Sequence, residues 1–297
     1  MRAEPFMLSL PRIIEANVPL APYTYFRIGG EAMYLGHIAS EQDVVDAVDF
    51  AHTNHLRMTV LSGGSNVLVS DAGFDGIVLH MEMREAAVEG NTIRAGAGVP
   101  MAKLVATATA HGLEGISWAI GIPGMVGGSV RGNAGCFGGE VKDTLVSVRV
   151  YDMNAQAWQT LTNTACVFEY RDSMFKRHPE LIITEATFAL REGNTKDLAE
   201  RVRAHIQLRV MKQDIGEKCA GCMFKNPKGA YAGELIELAG LKGFAIGGAH
   251  ISKKHANFIV NDGNASAEDV RAIVAHVKEK VQQSFYIVLE EEIQYIS

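Results

Sequence analysis

Ser62-Gly63-Gly64-Ser65-Asn66 stands between two short apolar runs, Met58 to Leu61 before it and Val67 to Val69 after it. The flanking runs read as buried strands, so the five residues read as a loop at a strand end. Two glycines leave the backbone N–H groups bare, with a hydroxyl and an amide beside them. A concave run of such donors carries partial positive charge and suits a diphosphate. A tight turn between two strands explains the same residues, and the pentapeptide alone leaves both readings open.

A second run weighs towards a ligand. Gly121-Ile122-Pro123-Gly124-Met125-Val126-Gly127-Gly128 is followed by Asn133-Ala134-Gly135. So many glycines without strand alternation cost backbone entropy that a plain connector has no reason to carry. The familiar nucleotide loops do not fit. Gly96-Ala97-Gly98 lacks the third glycine of a Rossmann fingerprint, and the loop at 62–66 leads into a strand rather than a helix. No Gly-Lys-Ser/Thr is present for a P-loop. A dinucleotide site here belongs to another architecture.

Outward from these loops, the chain alternates elements of both kinds. A helix is expected over 40–55, capped by Ser40 with Asp43 three residues on and Val44, Val48 and Ala51 inward. Strands follow at 58–61, 67–69 and 76–81. Pro100 opens a helix that ends near Gly112, and 146–151 and 181–190 read as strands. Thr195 is expected to cap a long helix with Leu198, Val202, Ile206 and Val210 on one stripe. Ser266 caps another, with Val270, Ile273, Val277 and Val281 inward. Alternation over 286–296, with Ile287, Leu289, Ile293 and Tyr295 on one face, predicts a closing strand. The fold class is α+β. A boundary is expected at Glu192-Gly193-Asn194, dividing a ligand-binding region 1–192, itself split near 75, from a smaller α+β region 193–297.

Composition narrows the partners. With 28 basic and 34 acidic residues, the net charge of -6 argues against a nucleic-acid partner and a polybasic membrane anchor. No stretch of about 18 apolar residues occurs, which predicts a cytoplasmic chain without a membrane partner. Four cysteines in 297 residues are too few for a disulfide framework. No metal site is expected: Cys219 and Cys222 form a C-x-x-C, but Cys136 and Cys166 make no second pair.

Six motifs in order carry a resemblance. They are Tyr25-Phe26-Arg27-Ile28-Gly29-Gly30, the loop at 62–66, the run at 121–135, Tyr170-Arg171-Asp172-Ser173, Gly221-Cys222-Met223-Phe224-Lys225-Asn226-Pro227 and Leu289-Glu290-Glu291-Glu292-Ile293. From about residue 20 onward the chain resembles the UDP-N-acetylenolpyruvoylglucosamine reductases. The resemblance implies an FAD-binding fold of the vanillyl-alcohol-oxidase type in the first region and a UDP-sugar substrate on the second. NADPH is implied as the hydride donor, and a monomer is expected. It places Arg27, Ser62, Gly63, Gly64, Ser65, Asn66, Gly121, Ile122, Pro123, Gly124, Gly127, Gly128, Asn133 and Gly135 at the cofactor. It places Arg209, Lys212 and Asn226 at the substrate, and Arg171, Cys222 and Glu292 in catalysis. The short stretch between Arg171 and Cys222 leaves no room for a tyrosine loop that some members fold over the substrate. That implies the class with a more open site.

The chemistry agrees with those residue types. Reducing an enolpyruvyl ether places a hydride on the methylene carbon and a proton on its neighbour, through an enolate-like state. A guanidinium can fork onto the carboxylate, and a protonated carboxyl can hydrogen-bond the enolate. Cys222 departs from the family, which usually has serine there as the proton donor. A thiol, with a reference pKa of about 8.5, is a stronger acid than an alcohol. A dithiol redox role for Cys219 and Cys222 is the rival reading. Asp214 replaces a usual proline, and Lys254, His255 and Asn257 lie in a polar stretch without assigned roles.

Overall fold

A computed structural model describes residues 10–212 and 216–297, with Lys212 described in its backbone only. The Asp214 loop and the Lys212 side chain therefore lie outside the described residues. The chain runs β1 (Ile14–Pro19), β2 (Glu31–Ile38), α1 (Glu41–Thr53), β3 (Met58–Leu61), β4 (Val67–Val69) and β5 (Phe74–Met81). There follow β6 (Ala86–Glu89), β7 (Thr92–Gly96), α2 (Met101–Ala110), α3 (Val126–Arg131), β8 (Leu145–Asp152), β9 (Ala157–Thr162) and β10 (Leu181–Ala189). The last third holds α4 (Thr195–Lys212), α5 (Ala232–Leu238), β11 (Ala245–Ile246), β12 (Ala249–Ile251), β13 (Ile259–Asn261), α6 (Ala267–Phe285) and β14 (Gln294–Ile296).

The first sheet has the order β1-β2-β5-β3, with parallel pairing of β2 and β3 to β5. The second is antiparallel in the order β9-β8-β10-β7-β6. The fold is α+β as expected, and the change of sheet falls between Met81 and Ala86. A split near 75 would cut β5, whose residues 77–80 pair with β3. The core between these sheets collects Ile38, Ile77 and Leu79 from one, Ile93, Val148 and Phe188 from the other, and Val44 from α1. A second core packs α6 over the sheet β11-β12-β13 and reaches back to Phe26, Ile28 and Leu68. Val270, Ile273, Val277 and Val281 are all buried there, and each contributes about 1.5–3 kcal/mol relative to exposure.

Ser40 caps α1 in a box with Asp43 and Ser266 caps α6, both as read; the structure adds Asp269 as the reciprocal partner of Ser266. Three expectations change. The Asn194 side chain, not Thr195, accepts from the N–H groups of Lys196 (2.9 Å) and Asp197 (3.3 Å) at the start of α4. The inward stripe of α4 is Leu198, Val202, His205 and Arg209, while Ile206 and Val210 are exposed. Counting every fourth residue drifts off a face that repeats every 3.6. The run 286–296 is a strand only at its end. Tyr286 is left-handed and exposed, Leu289 and Ile293 are buried, and Ile296 rather than Tyr295 turns inward.

That last strand decides the tertiary arrangement. β14 pairs in parallel with β4, Gln294 opposite Val67, so the chain end returns to the strand just after the glycine loop. Helix α4 packs on α2 and on Ser117–Ala119, although it follows the expected boundary at 192–194. His205 Nδ1 lies 3.1 Å from the Ser117 carbonyl, and Arg209 Nε donates to the Ile120 carbonyl at 2.9 Å. Among the described residues, no helix is long and apolar enough to cross a membrane.

Candidate active site

The two glycine runs are packed against one another. A side chain at Gly63 would come 2.9 Å from the Gly124 Cα, and one at Gly124 (φ 123°) would come 2.6 Å from Ser65 Oγ. At Gly64 (φ 61°) it would collide with the Tyr23 carbonyl oxygen. Only glycine combines that close approach with that backbone geometry. Among the described residues, the N–H groups of Gly63, Gly64 and Ser65 donate to no protein acceptor. They form a donor-rich cradle of the kind that binds a phosphate.

The cradle opens into a cavity of about 510 Å³. Ser62 through Asn66, Gly121 through Gly124, Gly127, Gly128 and Gly135, all expected at the cofactor, are brought together along it. So do Arg171, Cys222, Glu292 and Arg209, drawn from four separate segments. Arg209 is 5% exposed, and a side chain at Gly121 would come 2.7 Å from its Cδ. That contact explains the glycine at 121 without any ligand.

Three expected residues stand elsewhere. Arg27 is exposed and donates to the Pro22 carbonyl, away from the cavity. Asn133 is fully buried behind the second glycine run, where its amide donates to Glu140 Oε2 (2.7 Å) and the Glu169 carbonyl (2.9 Å). Its carbonyl oxygen accepts from the Lys142 N–H at 3.1 Å. These bonds use the Asn133 side chain for bracing the loop. Asn226 lines a separate cleft with Tyr170, Lys225 and Glu290, and its side chain accepts from the Ala232 N–H at 3.0 Å.

Three residues the sequence reading did not select line the cavity: Arg131, Lys176 and Gln294. Arg131 donates to Gln294 Oε1 at 3.3 Å, and Lys176 Nζ to the Arg171 carbonyl at 2.6 Å. A cation closing a glycine run, as Arg131 does, was the available signal. Asn257 is buried and clamps the Cys222 segment: its Oδ1 accepts from the Phe224 N–H (3.0 Å) and its Nδ2 donates to the Phe224 carbonyl (2.8 Å). Lys254 donates to the Val210 carbonyl at 2.6 Å.

Electrostatics mark one corner. Arg171 sits at φ 56° and donates from Nη2 to the Gly135 carbonyl at 2.6 Å. Its Nε lies 3.3 Å from Glu292 Oε1. Burial raises the Glu292 carboxyl above its ordinary range, against the pull of Arg171, Lys176 and Lys225. Burial also pushes the Cys222 thiol up to about 12, with the nearby Glu292 carboxylate adding to it and Arg171 opposing. The thiol is therefore held neutral. Among the described residues, neither Cys219 nor Cys222 is in a disulfide. Glu292 is anchored from both sides: its N–H donates to the Met223 carbonyl (2.8 Å), and its carbonyl accepts from Asn66 Nδ2 (3.1 Å).

Comparison with known proteins gives the family. Residues 35–160 match the FAD binding domain model, and residues 213–296 match the C-terminal domain of UDP-N-acetylenolpyruvoylglucosamine reductase. The reductase of Streptococcus suis is 38% identical over 284 residues, covering 95% of this chain and 93% of that protein. The chain belongs to the UDP-N-acetylenolpyruvoylglucosamine reductase family. The relative from Limosilactobacillus fermentum is 36% identical, with 100% and 99% of the two chains covered. The crystal structure of the Thermus caldophilus reductase superposes with a TM-score of 0.82 at 34% identity, covering 96% of this chain and 99% of that one. Family membership makes this chain an FAD-containing oxidoreductase, and the cradle of bare N–H groups fits the FAD diphosphate.

Proposed function

We propose that this chain reduces UDP-N-acetylenolpyruvoylglucosamine to UDP-N-acetylmuramate with NADPH, for peptidoglycan precursor synthesis in the cytoplasm. The observation that carries the reading is the meeting of Arg171, Cys222 and Glu292 at one corner of the cavity lined by both glycine runs. The cradle at 62–66 and 121–128 would hold the FAD diphosphate through backbone N–H groups, with Arg131 lining the same cavity as a cation. FAD held there would supply the hydride chemistry between NADPH and the methylene carbon of the enolpyruvyl ether.

Arg171 pairs with the substrate carboxylate, where charge develops as hydride arrives. Glu292, raised by its burial, carries a proton into the site and hydrogen-bonds the enolate oxygen. Cys222 gives its proton to the carbon bearing the carboxylate. A thiol held at about 12 retrieves a proton from solvent after each turnover, so it ends as it began. The sum is one hydride from NADPH and one proton from water added across the double bond. Arg209 and Lys176 offset the charge of the substrate diphosphate. We divide the work between a cofactor part, residues 10–212 with the returning strand β14, and a substrate part, residues 216–293.

Cys222 provides the test. Cys222→Ala is expected to leave flavin reduction by NADPH intact while substrate reduction falls about 10²- to 10⁴-fold. Cys222→Ser is expected to keep activity, because proton donation needs no redox chemistry. Stopped-flow absorbance of the flavin separates the two half-reactions. Normal turnover in the alanine variant removes Cys222 from the mechanism, and a dead serine variant restores the dithiol reading.

A further inference from the structure

On the far side of the cradle, three strands bring a different set of side chains together. His37 on β2 and His80 on β5 are direct partners in a parallel pair. Glu82 follows His80 by two residues and so shares its face. The Nδ1 atoms of His37 and His80 lie 3.0 and 2.9 Å from one oxygen, Glu82 Oε1. On the neighbouring strand β1, Glu15 Oε1 lies 3.4 Å from His37 Nε2. That nitrogen is shielded from solvent and makes no well-formed hydrogen bond.

The protons do not add up with neutral rings. Three ring nitrogens face carboxylate oxygens, and two neutral imidazoles bring only two N–H groups. A lone pair would then point at a carboxylate. Either a third proton on one ring or a metal ion shared by the two Nδ1 atoms and Glu82 removes the conflict; the metal takes both Nδ1 lone pairs and leaves the Nε2 protons as donors. The ligand atoms lie within 4.8 Å of one another. The two spacings to Glu82 Oε1, 3.0 and 2.9 Å, are close to the edge of about 3.3 Å in a tetrahedral zinc site with bonds of about 2.0 Å. Two imidazoles and a carboxylate select zinc-like ions over magnesium or calcium. Glu15 then accepts from His37 Nε2, the carboxylate–histidine arrangement that orients metal ligands.

We propose that His37, His80 and Glu82 form a zinc site, oriented by Glu15, that braces the glycine cradle from behind. The link to the cradle is short. His80 pairs with Leu61, the residue before Ser62. The Tyr23 ring stands edge-on to His80 at 5.0 Å, and the Tyr23 carbonyl is the atom that Gly64 packs against. A metal here would tie β1, β2 and β5 together at the root of the loop.

The test is titration of chelator-treated holoenzyme with zinc chloride by calorimetry, followed by zinc X-ray absorption of the loaded protein. One zinc per chain is expected, with nitrogen and oxygen ligands only and slower loss of FAD on heating. The His37→Gln, His80→Gln double variant is expected to lose that equivalent. Glu15→Gln, a change at an exposed residue that spares the fold, is expected to weaken it about 10- to 100-fold. No stoichiometric zinc, sulfur in the shell, or full binding by the double variant would overturn the site; the last two assign zinc to the cavity thiols.

Discussion

The cavity has two walls built on different principles. One wall, proposed to hold the cofactor, is backbone: two glycine runs held together by contacts no side chain could survive. The reactive corner is side chain: Arg171, Cys222 and Glu292, each delivered by a different segment. A backbone site is made by consecutive residues, so its chemistry is written in one short stretch. A side-chain site exists only when distant segments meet.

The walls should therefore break differently. The largest effect is expected at Gly64→Ala. The new Cβ collides with the Tyr23 carbonyl at a positive φ, so the cost reaches about 3 kcal/mol or more and FAD binding is lost. Gly138→Ala, also at positive φ but with open space around it, should cost only about 1 kcal/mol and keep its flavin. Flavin content and denaturant melts of the pair measure the contrast. Equal losses would mean that close packing is not what defines the backbone wall.

Asn133→Ala should fall between these. It leaves the Lys142 N–H without its acceptor and removes one partner each from the Glu140 carboxylate, which keeps Lys142 Nζ, and the Glu169 carbonyl, which keeps the Asp172 N–H. About 1–3 kcal/mol of stability is expected to go, with the flavin still bound at saturation. Loss of FAD affinity without loss of stability would return Asn133 to the cofactor.

The smallest effect concerns Glu292. Its carboxyl is raised in the folded chain, so the native state holds that proton more tightly than the unfolded state. Its contribution to stability therefore falls as pH rises from the unfolded carboxyl range through the folded value. Glu292→Gln removes this titration. Its melting temperature should exceed the parent's by more at neutral pH than at pH about 4. A difference independent of pH would place the carboxyl outside the buried corner.

Local chemistry made much of the fold legible. Ser40 with Asp43 and Ser266 with Asp269 cap helices because a hydroxyl and a carboxylate three residues apart meet over one turn. Failures came where a neighbour outside the window decided. The α4 face is set by its bed on Ser117–Ala119, which half-buries His205 and buries Arg209 in place of two apolar residues. The 286–296 alternation gives way at Tyr295 because β14 takes its register from β4.

By itself, the sequence determined two glycine-rich runs suited to close backbone packing, since glycine spacing is a property of the chain. The resemblance added Arg171, Cys222 and Glu292 as names without positions. Only the tertiary structure decided that they share a corner, that Arg131 and Lys176 join them, and that Arg27, Asn133 and Asn226 do not. The reason is the parallel pairing of β14 with β4, in which Asn66 of the first glycine loop holds the backbone of Glu292. Hydrogen bonds between residues so far apart along the chain leave no periodic trace in either segment.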